Sequence, residues 1–241
     1  MREQYHKWYS NRIGREFEML TFGYAGIPLL LFPTSKGTYY QCKDFGLVDT
    51  LEIFIKKGKI KVYCPDSYDK ESWFNNSISP AERVQNHMLY DDFLLNEIVY
   101  QALEDTKQKK IITAGCNLGA YHAANFAFRH PDKVSYTFAL SGNYDMRMFL
   151  DGYFDNNAYY NNPVDYLPNL TNEWYLEHIS RMGIILSTTE QDSFKTYSFQ
   201  LANILQSKHI NHWLDVRNHA TKDWNFWKEV LPHYVSLAIK E

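Results

Sequence analysis

Long apolar runs are missing from this sequence, and none approaches the roughly 18–20 consecutive positions that a membrane-spanning helix needs, so no span is expected. Cysteine is scarce. The three present, Cys42, Cys64 and Cys116, are odd in number and widely separated, which fits neither a disulfide framework nor a zinc site; free thiols are expected. Charged residues are also few, at 22%, and a net charge of −3 leaves no basic footprint for nucleic acid. No Pro-, Gly- or Ser-rich linker interrupts the chain, so a single domain over 1–241 is expected. The stretch Met1-Arg2-Glu3-Gln4-Tyr5-His6-Lys7-Trp8 lacks the apolar segment of a signal peptide, and the expected location is the cytoplasm.

What the chain has instead is 45% hydrophobic residues, enough for a substantial core, and 19 tyrosines, read here as core and surface residues rather than as the lining of a pocket. Residues 15–23 alternate like an antiparallel strand. Short apolar runs at 27–33, 60–66, 111–116, 134–142 and 183–189, with a last one at 212–216, have the length of buried strands. Helical spacing occupies 49–56, 118–128 and 193–207, and Val84, Met88, Leu94, Leu95, Ile98, Val99 and Ala102 give 83–104 the apolar stripe of a long amphipathic helix. Strands alternating with helices predict an α/β fold with a mostly parallel central sheet and helices on both faces. The polar, tyrosine-rich stretch within about 145–180 has no clear period. It is open to two readings, a lid or pocket wall above the carboxyl edge of the sheet, or a surface loop tied down by its tyrosines.

One run carries the chemistry. Ile111-Ile112-Thr113-Ala114-Gly115-Cys116-Asn117-Leu118-Gly119-Ala120 has the shape of a nucleophile elbow, G-x-S-x-G, in which a serine sits on a strained strand-to-helix turn and the glycines make room for that turn. The apex here is Asn117. A carboxamide has no ionisable proton and little nucleophilicity, so it cannot replace a base-activated serine hydroxyl.

Several further segments stand in a familiar order. They are Leu31-Phe32-Pro33-Thr34-Ser35 with Gly37, Gly115-Cys116 with Gly119-Ala120-Tyr121-His122, Arg129-His130-Pro131-Asp132, Ala139-Leu140-Ser141-Gly142-Asn143-Tyr144-Asp145, Pro163-Val164-Asp165-Tyr166-Leu167-Pro168, and Asp223-Trp224 with Trp227. With them nearly the whole chain resembles the esterase D and feruloyl-esterase-like family of the α/β-hydrolase superfamily. The resemblance implies an α/β-hydrolase fold and a carboxylic-ester hydrolase with its triad in the order Ser, Asp, His.

Position by position, the resemblance puts the acid at Asp192, the nucleophile position at Asn117 and the histidine position at Lys222. It builds the oxyanion hole from the backbone N–H groups of Ser35 and Leu118. Two of the three triad positions are thus changed, and with them the whole proton-transfer unit. A lysine is protonated near neutral pH unless burial lowers its pKa by several units, so Lys222 beside Asp192 is expected to form an ion pair in a remnant chain from Asn117 through Lys222 to Asp192. His219, in the same loop, is the alternative base of a still active carboxylesterase, although an inward His219 would find no serine to activate. Neither Cys116, whose side chain points away from the pocket in an elbow, nor Ser141, which ends a strand, offers a substitute nucleophile. The expected function is a pseudo-esterase that binds a small ester-like molecule or a partner, with ester hydrolysis lost or greatly weakened.

No cofactor is expected. His209 and His212 near Asp215, and His219 with Asp223, lack the fixed spacing of a helical metal site, and no metal is assigned. Gly23-Tyr24-Ala25-Gly26 reads as a tight turn between strands with no helix behind it to cradle phosphate. Neither nucleic acid nor membrane is expected as a partner, and the sequence leaves the oligomeric state open.

Overall fold

Apolar residues at every second position put two faces of one sheet into two separate cores. In the computed structural model, which describes residues 2–218 and 221–239, the strands are β1 (Glu3–Ser10), β2 (Arg15–Phe22), β3 (Ile27–Phe32), β4 (Ile60–Pro65), β5 (Ile111–Cys116), β6 (Val134–Leu140), β7 (Gly183–Thr189) and β8 (Trp213–Arg217). They lie in the order β1-β2-β4-β3-β5-β6-β7-β8. Strands β3 to β8 run parallel, and β2 is antiparallel to both of its neighbours. In β3, Leu30 and Phe32 face one core while Leu29 and Leu31 face the other. Each such fully buried side chain contributes about 1.5–3 kcal/mol by leaving water.

The helices are α1 (Gln41–Asp44), α2 (Glu52–Lys56), α3 (Pro80–Phe93), α4 (Tyr100–Thr106), α5 (Leu118–Arg129), α6 (Asn156–Tyr160), α7 (Pro163–Tyr166), α8 (Glu173–Ser180), α9 (Lys195–Ser207) and α10 (Trp224–Ala238). Buried residues of α3, α4, α5 and α9 fill one core, and those of α2 and α10 the other. Helices therefore cover both faces. The amphipathic stretch expected over 83–104 begins earlier, at Pro80, because Ser79 and Glu82 form a capping box ahead of it, and a π-helical segment, Leu94–Val99, joins α3 to α4.

Strand β1 and helix α10 were not foreseen, and neither was the one-turn helix α1. Strand β1 carries polar residues on an edge, with only its last residue fully buried, so its alternation is one of half-buried against exposed rather than apolar against polar. Helix α10 starts at the Asp223 N-cap and buries Phe226, Trp227, Val230, Leu231 and Tyr234 in the second core. The aperiodic stretch contains α6, α7 and α8, each too short for a sequence period to register. Among the described residues no helix is long and apolar enough to cross a membrane.

The chain passes from β3 outward to β4 and then returns to the other side of β3 to form β5. That reversal is the topological switch point of the sheet, where ligands of open α/β folds bind at the carboxyl ends of the strands. The loops after β3 and β5 meet there.

The capping box makes one number measurable. Ser79→Ala removes the oxygen that accepts the Glu82 N–H and is expected to lower unfolding stability by about 1 kcal/mol, read as a reduced urea midpoint at unchanged slope; an unchanged midpoint would contradict it.

Candidate active site

Asn117 stands between the end of β5 and the start of α5 with φ 58° and ψ −120°. Side chains other than glycine rarely occupy that region, and holding one there costs on the order of 1–3 kcal/mol. The surroundings leave no alternative. The Asn117 N–H donates to the Leu140 carbonyl at 2.9 Å, and its own carbonyl accepts the Ala120 N–H at 3.1 Å. A Cβ on Gly115 would lie 2.1 Å from the Gly119 carbonyl oxygen, and one on Gly119 would lie 2.3 Å from the Pro33 carbonyl oxygen. Glycine at both places lets the turn close and brings the loop after β3 against the start of α5. Cys116 points the other way, into the second core, where burial raises its thiol pKa well above the usual range.

Asp192 lies beyond β7 and is completely buried. Its Oδ1 accepts the Phe194 N–H at 2.8 Å and its Oδ2 accepts the Thr188 hydroxyl at 3.2 Å. Lys222 reaches it from the loop ahead of α10, with Nζ 3.4 Å from Asp192 Oδ1 and 4.4 Å from the centre of the Phe194 ring. Burial lowers the Lys222 pKa, and the adjacent carboxylate opposes that shift. Of the expected chain from Asn117 through Lys222 to Asp192, the second arm is present. The Asn117 carboxamide makes no hydrogen bond among the described residues, so the first arm is not. His219 lies outside the described residues.

Ser35 sits in the loop after β3, and three side chains, Asp69 buried and Gln41 and Asp66 half-buried, fix that loop. Gln41 Oε1 accepts the Thr34 N–H at 2.9 Å, Asp69 Oδ2 accepts the Lys36 N–H at 2.8 Å, and Asp66 Oδ1 accepts the Tyr39 N–H at 3.1 Å. Asp69 in turn meets His122 Nε2 of α5 at 2.8 Å, both side chains being almost wholly buried. Lys36 is held at φ 55°. One aspartate thereby ties the loop to the helix that begins at the elbow. Leu118 is the first residue of α5, so its N–H has no intrahelical partner, and the Ser35 N–H has no partner among the described residues. Ser141, at φ 55° on the end of β6, accepts from Trp227 Nε1 at 3.2 Å and is taken up in packing against α10.

No protein-family model matches this sequence, and no curated protein does. Solved structures do match. A ferulic acid esterase superposes with a TM-score of 0.79 at 14% identity, over 99% of this chain and 98% of the other. An S-formylglutathione hydrolase from Agrobacterium tumefaciens gives 0.78 at 11% identity, over 99% and 94%. MPT51 of Mycobacterium tuberculosis gives 0.71 at 15%, over 98% of both chains. This chain has the α/β-hydrolase fold of esterases.

Within that fold the carboxyl edge carries more than the sequence announced. Asp66, Asp69, Gln41 and His122 hold the loop after β3, and only the position of the two aspartates just past β4 hinted at it. The acid Asp215, considered with His209 and His212, is instead occupied by Tyr234 and Arg217. Among the described residues no group of three or more His, Cys, Asp or Glu side chains is placed to hold a metal ion.

Asp66 allows a pH test of the loop anchor. Burial, opposed by the Tyr39 N–H and Arg15, raises its pKa from 3.8 to about 6. Between those values the folded chain holds a proton that the unfolded chain has lost, so Asp66 withdraws stability as pH rises from about 4 to about 6, and the loss is complete above that. Asp66→Asn keeps an oxygen for the Tyr39 N–H and is expected to gain on the wild type by about 1–3 kcal/mol between pH 4 and pH 7. Urea titrations that stay parallel across this range would refute the assignment.

Proposed function

We propose that this protein is a pseudo-esterase, which binds a small ester-like molecule at the elbow without turning it over at a useful rate. The observation that carries this reading is the strained turn kept in place around a carboxamide, with an ammonium paired to the acid that would orient a histidine. Acyl transfer needs a nucleophile whose proton passes to a base within hydrogen-bond reach. Asn117 has no such proton to give, and Lys222 as an ammonium paired with Asp192 has no lone pair to accept one.

The binding half of an esterase site is compatible with these residues. Among the described residues the Leu118 and Ser35 amides are unpaired donors suited to a carbonyl oxygen, and the first turn of α5 adds its dipole. The Asn117 carboxamide adds a donor and an acceptor where a substrate carbonyl would sit. Ferulic acid esterase and S-formylglutathione hydrolase, among the structures with this fold, support an ester as the ligand class. Residual acceleration from such donors and binding alone amounts to roughly 10³–10⁴-fold over water in serine hydrolases stripped of their triad. We place the protein in the cytoplasm on its three buried, unpaired thiols.

The test is hydrolysis of p-nitrophenyl acetate by the unmodified chain beside the double variant Asn117→Ser, Lys222→His. The unmodified chain is expected to give no burst and no acyl adduct by mass spectrometry, and the double variant to gain both. Turnover by the unmodified chain that His219→Ala abolishes would replace this reading with that of an active esterase.

A further inference from the structure

A cavity of about 660 Å³ lies at the far end of α5 from the elbow. Its floor is Phe128, Arg129 and His130, where the helix finishes, and its walls come from α6, α7 and the run into α8. Helix α5 has 12 residues, which puts this end roughly 18 Å along the axis from Asn117. The volume falls within the range of about 300–1,000 Å³ common for small-molecule sites.

We propose that this cavity binds a neutral saccharide. Its charges are already spent on one another. Arg129 Nε and His130 Nε2 both meet Asp91 Oδ2, at 3.3 and 2.8 Å, and Arg129 also donates to the Tyr160 carbonyl at 2.9 Å. No net charge is left over to hold an ionic ligand.

The groups that remain free are uncharged and can give as well as accept. Among the described residues the Asn157 amide, the Thr171 hydroxyl and the hydroxyls of Tyr159, Tyr160 and Tyr175 make no hydrogen bond within the chain. The amide of Asn169 has committed only its nitrogen, to the Asp165 carbonyl, and keeps its oxygen. Sugar hydroxyls are donors and acceptors at once, and amide and hydroxyl side chains match both roles.

The walls supply the apolar half of the match. Tyr159 and Tyr160 stand edge to face with centroids 5.0 Å apart, and Tyr160 is 58% exposed. A large aromatic surface open to water at the mouth of a polar cavity suits the C–H face of a sugar ring, which buries apolar area on the ring and leaves the hydroxyls to the amides. A purely apolar ligand would leave those amides unpaired and desolvated, at a cost. This site is independent of the reading given for the elbow, since none of its residues belongs to that site.

The experiment uses the full chain and the neutral disaccharides xylobiose, cellobiose and maltose, titrated by calorimetry and saturation-transfer NMR. At least one is expected to bind with a millimolar dissociation constant. Tyr160→Ala, whose exposed side chain bears no hydrogen bond, is expected to keep the wild-type melting temperature and to weaken that binding about tenfold. Asn157→Ala is expected to weaken it as well, and Asn117→Ala to leave the affinity unchanged. Absence of binding by all three sugars up to about 20 mM, full affinity in Tyr160→Ala, or loss of affinity in Asn117→Ala would each overturn the proposal.

Discussion

The close approach of the loop after β3 to the start of α5 is the contact on which the carboxyl edge depends. It exists because neither Gly115 nor Gly119 carries a Cβ: an added methyl would fall at 2.1 Å and 2.3 Å from backbone oxygens, well inside contact distance. With the two backbones touching, Asn117 has nowhere to go but the left-handed half of conformational space. The amides of Leu118 and Ser35 come with it. Asp69 then fixes the same pair of segments from the side, through the Lys36 N–H and the His122 ring. The turn, the loop and the helix are one rigid unit whose strain is borne by many ordinary contacts.

That unit is backbone work, and it has no need of the side chain at its apex. The hydrogen bonds to Leu140 and Ala120 are made by the Asn117 backbone and place no demand on its side chain. Acyl transfer, by contrast, also needs a side chain with a proton to give and a base to take it. The two can therefore part company. An α/β-hydrolase fold says where a reaction would take place and leaves open whether one does.

The parallel strands and the elbow were legible in the sequence because each is written locally: short apolar runs of strand length, and a Gly-x-x-x-Gly step between a strand and a helix. Strand β1 was not, because an edge strand whose alternate residues are half-buried polar side chains carries no apolar period. The capping box at Ser79 moved a helix start that apolar spacing alone put at Arg83, since caps are satisfied by polar residues outside the stripe. The loop anchors Asp69 and His122 are 53 positions apart and become partners only when the loop after β4 reaches α5. The Lys222–Asp192 pair was within reach because the resemblance to the esterase family placed an acid position at Asp192 and a histidine position at Lys222. The missing arm from Asn117 was not, since the direction of a single carboxamide depends on packing that spacing does not encode.

The pairing of Lys222 is best understood from the burial of Asp192. A carboxylate with no exposure must be paid for by partners, and the Phe194 N–H with the Thr188 hydroxyl satisfies it only in part. The Lys222 ammonium completes the set at 3.4 Å from Asp192 Oδ1. Lys222 is further tethered over the Phe194 ring, 4.4 Å from its centre. A fixed ion pair and a base free to exchange protons are opposing demands on one position, and the geometry here meets the first.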